Sequence, residues 1–276
     1  MEKKLLDMKN ISKTFGNVQA LKGVSLDLYA GEVLALMGEN GAGKSTLMNI
    51  LSGSLQPTEG EIYLNGEKVV VPDPITAKKL GIAKIHQELQ IVPELSVAEN
   101  IFLGRWKTSA GPAVDFKAMK DEAKVYLDML DVHVDPSKKL KDLRIGEQQL
   151  VEIAKAISLN SKIIVMDEPT SAISEKEAEK LFTIIRRLRG EGKGIIYITH
   201  RMEEIFKIAD RLTVMRDGQY IGTVKAAETS KDEIIRMMVG RDMSEQYPKD
   251  PTEKGEVALE VKNLTYTPPM GSFGVL

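Results

Sequence analysis

The chain has 276 residues, 42% hydrophobic and 28% charged, which is enough for a sizeable core in one large domain or two small ones. Its 38 basic and 40 acidic side chains leave a formal charge of −2, so there is no bulk attraction to nucleic acid or anionic lipid. It has no Cys, which removes disulfides, thiol catalysis and thiolate metal sites, and its three His, at 86, 133 and 200, are too scattered for a zinc cluster.

The N-terminus MEKKLLDMKN lacks the apolar core of a signal peptide, and no run of about 18 apolar residues occurs anywhere. The chain is therefore expected to be soluble, with any membrane role exerted through a partner. Short strands are predicted at Leu5–Ile11, Val24–Leu28, Val33–Met37 and Ile62–Leu64, the last running into Asn65-Gly66, a two-residue hairpin signal. From about Leu89 to Leu159 strand signals are weak; helices are predicted over Asp115–Leu130 and Gly146–Leu159, and the stretch reads as a helical insertion forming a subdomain. Beyond it, Ile163–Met166 and Ile195–Thr199 are apolar runs each followed by a helical pattern, as in βα units around a parallel sheet. The helix predicted over Glu175–Arg189 buries Leu181, Ile184, Ile185 and Leu188, opens on a Ser174/Glu177 capping box and stops at Gly190.

One pattern recurs. Leu6–Ser12 (LDMKNIS) returns type for type as Leu259–Thr265 (LEVKNLT), which predicts that a second domain of the same kind begins near the end of this chain.

Three constellations carry chemistry. GENGAGKST, Gly38–Thr46, fits G-x-x-x-x-G-K-[ST] between an apolar run and a helix. Its glycines let backbone N–H groups of Gly38, Glu39, Asn40, Gly41, Ala42 and Gly43 turn toward an anion, and the helix N-terminus adds its positive end. Lys44 can reach the β and γ phosphates of ATP, Ser45 offers a hydroxyl to Mg²⁺, and Thr46 can bond the α phosphate. IIVMDE, Ile163–Glu168, is a buried strand ending in two acids: Asp167 is expected to hold Mg²⁺ through water, and Glu168 to act as general base on the attacking water. IIYITH ends on His200, expected to contact the γ phosphate and keep water and Glu168 in line. Gln87, in IHQE, is the weaker candidate, since such a Gln also suits a loop surface. The fold class that follows is α/β: a P-loop core with a parallel sheet, an N-terminal antiparallel β subdomain and an inserted helical subdomain.

With GENGAGKST, His86-Gln87-Glu88, IIVMDEPT and YITH in this order, residues Lys4 to about Gly240 resemble the ATP-binding subunits of ATP-binding-cassette (ABC) transporters. The resemblance implies that Phe15 stacks on adenine and that Gln87 senses Mg²⁺ and the γ phosphate near a membrane partner. HQEL, AENIFLGR, QQLVEIAKA, DEPTSA, HRMEEIF, VMRDG and MMVGRDM resemble the tandem ATPases of bacterial ribose-type sugar importers. That implies an ABC domain over 1–240 with its helical subdomain at about 89–159, a linker at 241–254, and the first strand region of a second cassette at 255–276. It also implies work at the cytoplasmic face of the membrane, with hydrophobic permease subunits and, indirectly, a sugar-binding protein as partners, and no nucleic acid.

Two departures from the family pattern bear on function. The signature, typically LSGGQ, stands here as Leu143, Arg144, Ile145, Gly146 and Glu147, so Arg144 replaces the serine that meets a γ phosphate on the opposite cassette. After the DEPT segment, Ser174 stands where the family usually has Asp. The first departure predicts two unequal ATP sites and weak hydrolysis by this chain alone. Competing readings are a tandem ATPase acting on ribosomes, which usually has a long charged linker and an intact signature; a DNA-repair or chromosome ATPase head, which would need a heptad run between Lys44 and Gly146; and a kinase or GTPase sharing the same loop.

Overall fold

The computed structural model describes residues 3–87, 89–108, 113–240 and 259–262. Strands β1 (Lys4–Phe15) and β2 (Val18–Tyr29) form an antiparallel hairpin. Both exceed the predicted apolar runs, because the ladder continues through mixed stretches in which Lys13 and Thr14 of β1 and Gln19 and Lys22 of β2 interrupt the hydrophobic signal. The chain then makes β3 (Val33–Met37) and helix α1 (Lys44–Leu51), and returns to the first sheet as β4 (Glu59–Leu64) and β5 (Glu67–Val69) in the order β2-β1-β4-β5. Asn65 and Gly66 both have positive φ, 51° and 89°, and close the β4–β5 hairpin as predicted.

Next come α2 (Pro74–Lys79) and β6 (Ile82–Ile85), the latter not predicted, and then three helices: α3 (Val97–Ile101), α4 (Phe116–Met129) and α5 (Ile145–Ser158). The remainder alternates: β7 (Ile163–Asp167), α6 (Glu175–Gly190), β8 (Gly194–Ile198), α7 (Met202–Ile208), β9 (Arg211–Arg216), β10 (Gln219–Lys225) and α8 (Lys231–Val239). The second sheet has the order β10-β9-β3-β8-β7-β6, parallel throughout except for β10.

Every residue of β3, β7 and β8 is buried, because both faces of the sheet are covered. One face carries α3 to α6, where Ile164, Met166, Ile195 and Tyr197 join Phe102, Leu150 and Phe182. The other carries α1 and the antiparallel sheet, where Leu34, Leu36, Val165, Ile196 and Ile198 meet Leu26, Leu28 and Leu47. A polar tie joins the two sheets: Arg211 of β9 pairs with Asp27 of β2 at 2.9 Å and with Glu32 at 2.5 Å.

Helix α6 opens on the predicted capping box, with Ser174 N donating to Glu177 Oε2 (2.8 Å) and Glu177 N to Ser174 Oγ (3.4 Å). Its stop differs from the prediction. Gly190 is still helical; the chain leaves the helix at Gly192, whose φ is 82°, with Gly192 N bonded to Arg189 O and Lys193 N to Leu188 O. A left-handed residue is needed just past the last helical position, and Gly192 stands there.

The chain divides into two units, Met1–Arg241 and Asp242–Leu276. The linker expected at 241–254 lies outside the described residues, as does all of 255–276 except Leu259–Lys262. Those four carry no regular structure, although a strand was predicted there. The same pattern in β1 is a strand because β2 and β4 bond to its two edges, and no such pairing is found for Leu259–Lys262 among the described residues. No described helix is long and apolar enough to cross a membrane.

Two of the tight hairpins, β4–β5 and β9–β10, provide a matched test. Asp217 and Gly218, between β9 and β10, also have positive φ (51° and 74°), but a Cβ on Gly218 would lie 2.5 Å from Ala20 O, whereas one on Gly66 meets nothing within 4 Å. Gly66→Ala should cost about 1 kcal/mol, from backbone strain alone. Gly218→Ala should cost about 1–3 kcal/mol more through overpacking. Urea unfolding of the two variants measures the difference, and equal costs would contradict the packing account.

Candidate functional site

Strands β3, β8, β7 and β6 lie side by side and end on the same edge of the sheet. Each hands over to residues singled out from the sequence: β3 to Gly38–Thr46, β8 to Thr199 and His200, β7 to Glu168 directly after Asp167, and β6 to His86 and Gln87. The carboxyl ends of parallel strands are where an open α/β sheet leaves a crevice. A cavity of about 240 Å³ opens there, lined by residues 40–46, Gln87, Asp167, Glu168 and Ile198.

The loop's shape is enforced from behind. A Cβ on Gly38 would strike Met215 O, and one on Gly43 would lie 2.7 Å from Leu21 Cδ2 and 3.0 Å from Ala20 O. Gly43 is also the N-cap of α1, in the left-handed region and with no side chain to cap the helix, so the first amides of α1 open on the cavity. Lys44 Nζ arches back to donate to Gly38 O (2.7 Å) and Glu39 O (3.0 Å). Burial pulls the Lys44 ammonium below its ordinary pKa, while Asp167 and Glu168 push it back up. An uncapped helix N-terminus, a glycine cradle and an ammonium held only by carbonyls together fit a polyphosphate.

Asp167 is 6% exposed at the end of β7. Burial raises its pKa, opposed by Lys84, reinforced by Glu168 and opposed again by Lys44. Lys84, in the middle of β6, brings its Nζ to 3.8 Å from Asp167 Oδ2 and donates to Asn49 Oδ1 of α1 at 2.7 Å. Sequence reasoning missed Lys84. The available signal was a lone cation inside the apolar quartet IAKI. The carboxylate of Asp167, the hydroxyl of Ser45 and the amide of Gln87 line one cavity and form an all-oxygen donor set, which suits Mg²⁺.

Glu168 stands between two other predicted residues. Gln87 Nε2 donates to its Oε2 at 3.3 Å, and His200 Nδ1 lies 3.3 Å from its Oε1. Its own backbone is left-handed, φ 47°, which costs a non-glycine residue about 1–2 kcal/mol and persists only where the surroundings over-determine it. Two backbone bonds contribute: Glu168 N donates to Ile198 O (2.9 Å), and Ser171 N donates to Glu168 O (3.2 Å).

Of the predicted residues, Gly38 and Glu39 stand at the edge of this cavity with their carbonyls on Lys44, His200 meets it through Glu168, and two further sets do not line it. Phe15 lies at the tip of the β1–β2 hairpin, 46% exposed, with Lys13 Nζ over its ring at 5.1 Å. Arg144, Ile145, Gly146 and Glu147 start α5, with Ile145 63% exposed. A guanidinium has no acceptor, so Arg144 cannot cap its own helix; among the described residues the capping bond is the reverse one, from Arg144 N to Glu147 Oε2 at 2.9 Å.

The family model described as "ABC transporter" matches residues 21–171, more than half of the chain. The ribose import ATP-binding protein RbsA of Caldanaerobacter subterraneus subsp. tengcongensis is 51% identical over 261 residues, covering 95% of this chain and 53% of that protein. RbsA of Clostridium tetani is 50% identical over 266 residues, with coverages of 96% and 53%. The chain thus spans about half the length of the curated relatives it matches. Among solved structures, a nucleotide-free ATP-binding cassette from an ABC transporter aligns with a TM-score of 0.73 at 29% identity, over 86% of this chain and 96% of that one. A dimeric cassette in a post-hydrolysis state bound to ADP and Pi aligns with a TM-score of 0.71, also at 29% identity, over 80% and 99%. With the phosphate-loop cavity at its strand ends and a family match over more than half its length, the chain belongs to the ABC transporter family and carries its ATP-binding cassette.

Proposed function

We propose that this chain binds and hydrolyses ATP to power uptake of a ribose-like simple sugar through a membrane permease. The observation that carries the ATPase reading is the contact of Glu168 with both Gln87 and His200 at the mouth of the phosphate-loop cavity. The sugar comes from the relatives, named for ribose import.

In this reading, amides of residues 38–46 surround the phosphates, Lys44 supplies the charge that faces the β and γ groups, and Thr46 bonds the α group. Phe15, exposed at its hairpin tip, stacks on the adenine. Ser45, Gln87 and, through water, Asp167 would hold Mg²⁺, which when bound neutralises phosphate charge. Glu168 accepts a proton from water as the water oxygen bonds the γ phosphorus. The bond from that phosphorus to the β–γ bridging oxygen breaks, and ADP leaves with the electron pair. Gln87 and His200 hold the base in line, which is a positioning effect.

The half-length match to the relatives supports reading 1–240 as one cassette with its helical subdomain at 89–159, 241–254 as linker and 255–276 as the start of a second cassette. The separation of α5's N-terminus from the cavity supports a composite site, in which the signature of one cassette closes over the ATP of the other. Arg144 makes this chain's contribution to that closure the poor one. The partners are then the second cassette, hydrophobic permease subunits and, indirectly, a sugar-binding protein. The chain works at the cytoplasmic face of the membrane, and its −2 charge gives no reason to add nucleic acid.

Binding, turnover and association measurements test this. A fluorescent ATP analogue should lose at least about tenfold in affinity on Lys44→Ala, while Glu168→Gln should keep binding and lose about a hundredfold or more in steady-state hydrolysis, the range of a general base. Unchanged turnover in Glu168→Gln would remove the base assignment. Arg144→Ser should raise the turnover of the isolated chain severalfold without changing its nucleotide affinity; an unchanged rate would mean that Arg144 is not what limits a homodimer. Stimulation by a sugar-loaded binding protein and a co-purified permease checks the import reading, and co-sedimentation with ribosomes would count against it.

A further inference from the structure

Behind the Glu168–His200 pair lies a buried carboxylate that the mechanism above does not use. Glu204 of α7 is 6% exposed. Its Oε1 accepts from Thr170 Oγ1 at 2.8 Å, and its Oε2 accepts from Tyr197 Oη and Thr199 Oγ1, both at 2.9 Å. Arg201 Nη1 is 3.5 Å from Oε1. The three hydroxyl donors are themselves buried, at 2%, 0% and 4% exposure for Thr170, Tyr197 and Thr199. Burial and Glu204 together push the Tyr197 phenol well above its ordinary range, so it is a permanent donor.

The position of these donors matters more than their number. Thr170 lies two residues after Glu168 and Thr199 one before His200, on loops leaving different strands. Thr199 Oγ1 also accepts from Arg201 N at 3.0 Å, so the turn carrying His200 is fixed on both sides. The turn at Glu168 is the strained one, with its left-handed φ of 47°. Its two backbone bonds do not tie it to α7; the Thr170–Glu204 bond does. A strained residue holds its place only while such ties outnumber the ways it can relax.

We propose that Glu204 is a positioning residue for ATP hydrolysis: by gripping Thr170 and Thr199 with one carboxylate, it sets the separation and orientation of Glu168 and His200. This rests on the ATPase reading above. Without the grip, Glu168 can relax toward an ordinary φ, swinging its carboxylate away from Gln87 and His200, and small displacements of a base from its water are costly in rate.

The test compares wild type, Glu204→Gln, Thr170→Val and Thr170→Ser in the full chain, reading kcat, KM, affinity for a fluorescent ATP analogue and melting temperature. Thr170→Val keeps the shape but removes the donor, and should lower kcat tenfold or more with KM and nucleotide affinity within about threefold. Thr170→Ser keeps the hydroxyl and should restore kcat to within about twofold. Glu204→Gln should follow Thr170→Val; if it fails to fold, the Thr170 pair decides alone. The proposal is overturned if Thr170→Val hydrolyses ATP at the wild-type rate, if Thr170→Ser is as slow as Thr170→Val, or if kcat and affinity fall together with the folded fraction. A wild type that binds no ATP overturns the ATPase reading and this inference with it, an outcome distinct from a wild type and a Thr170→Val variant that are equally active.

Discussion

Everything at the site depends on the register of one parallel ladder. Ile198 of β8 is paired on one side with Leu36 of β3 and on the other with Asp167 of β7, while Ile85 of β6 stands opposite Met166. Four strands therefore stop at nearly one level, and residues that follow β3, β6 and β7 line one cavity. The hydrogen bond from Glu168 N to Ile198 O carries the ladder one residue past the last strand position, into the site itself. A one-residue slip of any of these strands would turn its apolar side chains from one core to the other, so packing on both faces holds the register.

That packing leaves the polar chemistry on one edge and sets its electrostatics. Asp167 is buried because β7 is central, and a buried carboxylate is tolerated only with cations or hydrogen-bond donors near it. Lys84 from β6 and Lys44 from α1 serve that purpose. Lys84 also reaches Asn49, so one ammonium links the strand carrying Asp167 to the helix that begins at the phosphate loop. The phosphate-loop site and fold stability share these charges.

The helical layer is tied to the same edge. Helix α5 grips the peptide at residue 90, three positions past Gln87, with Glu152 Oε2 accepting from Gln90 N (3.2 Å) and Lys155 Nζ donating to Gln90 O (3.0 Å). The helix that starts at Arg144 is thus bonded to the segment that carries Gln87. Its first turn is nevertheless capped only by Glu147, because the residue at its N-cap has no acceptor to offer.

Local pattern was sufficient for much of this. GENGAGKST, the apolar runs ending in Asp167-Glu168 and His200, the Asn65-Gly66 turn and the Ser174/Glu177 cap were legible because each rests on neighbours in sequence: glycine φ, period of burial, a side chain reaching three residues along. Strand β6 was not legible, since four residues with a lysine among them become a strand only by pairing with β7. The roles of Lys84 and Glu204 were not legible for the same reason, as their partners lie on other elements: Lys84, marked only as a lone cation in IAKI, meets Asp167 from β6, and Glu204 meets Thr170 from α7. The amino-acid sequence by itself marked the residues proposed to hold phosphate, metal and water. Only tertiary structure decided that Gln87 and His200 flank Glu168, that Phe15 and Arg144 stand apart from them, and that a strained turn is gripped from behind, because the order of strands in a sheet is set by packing between elements far apart in the chain.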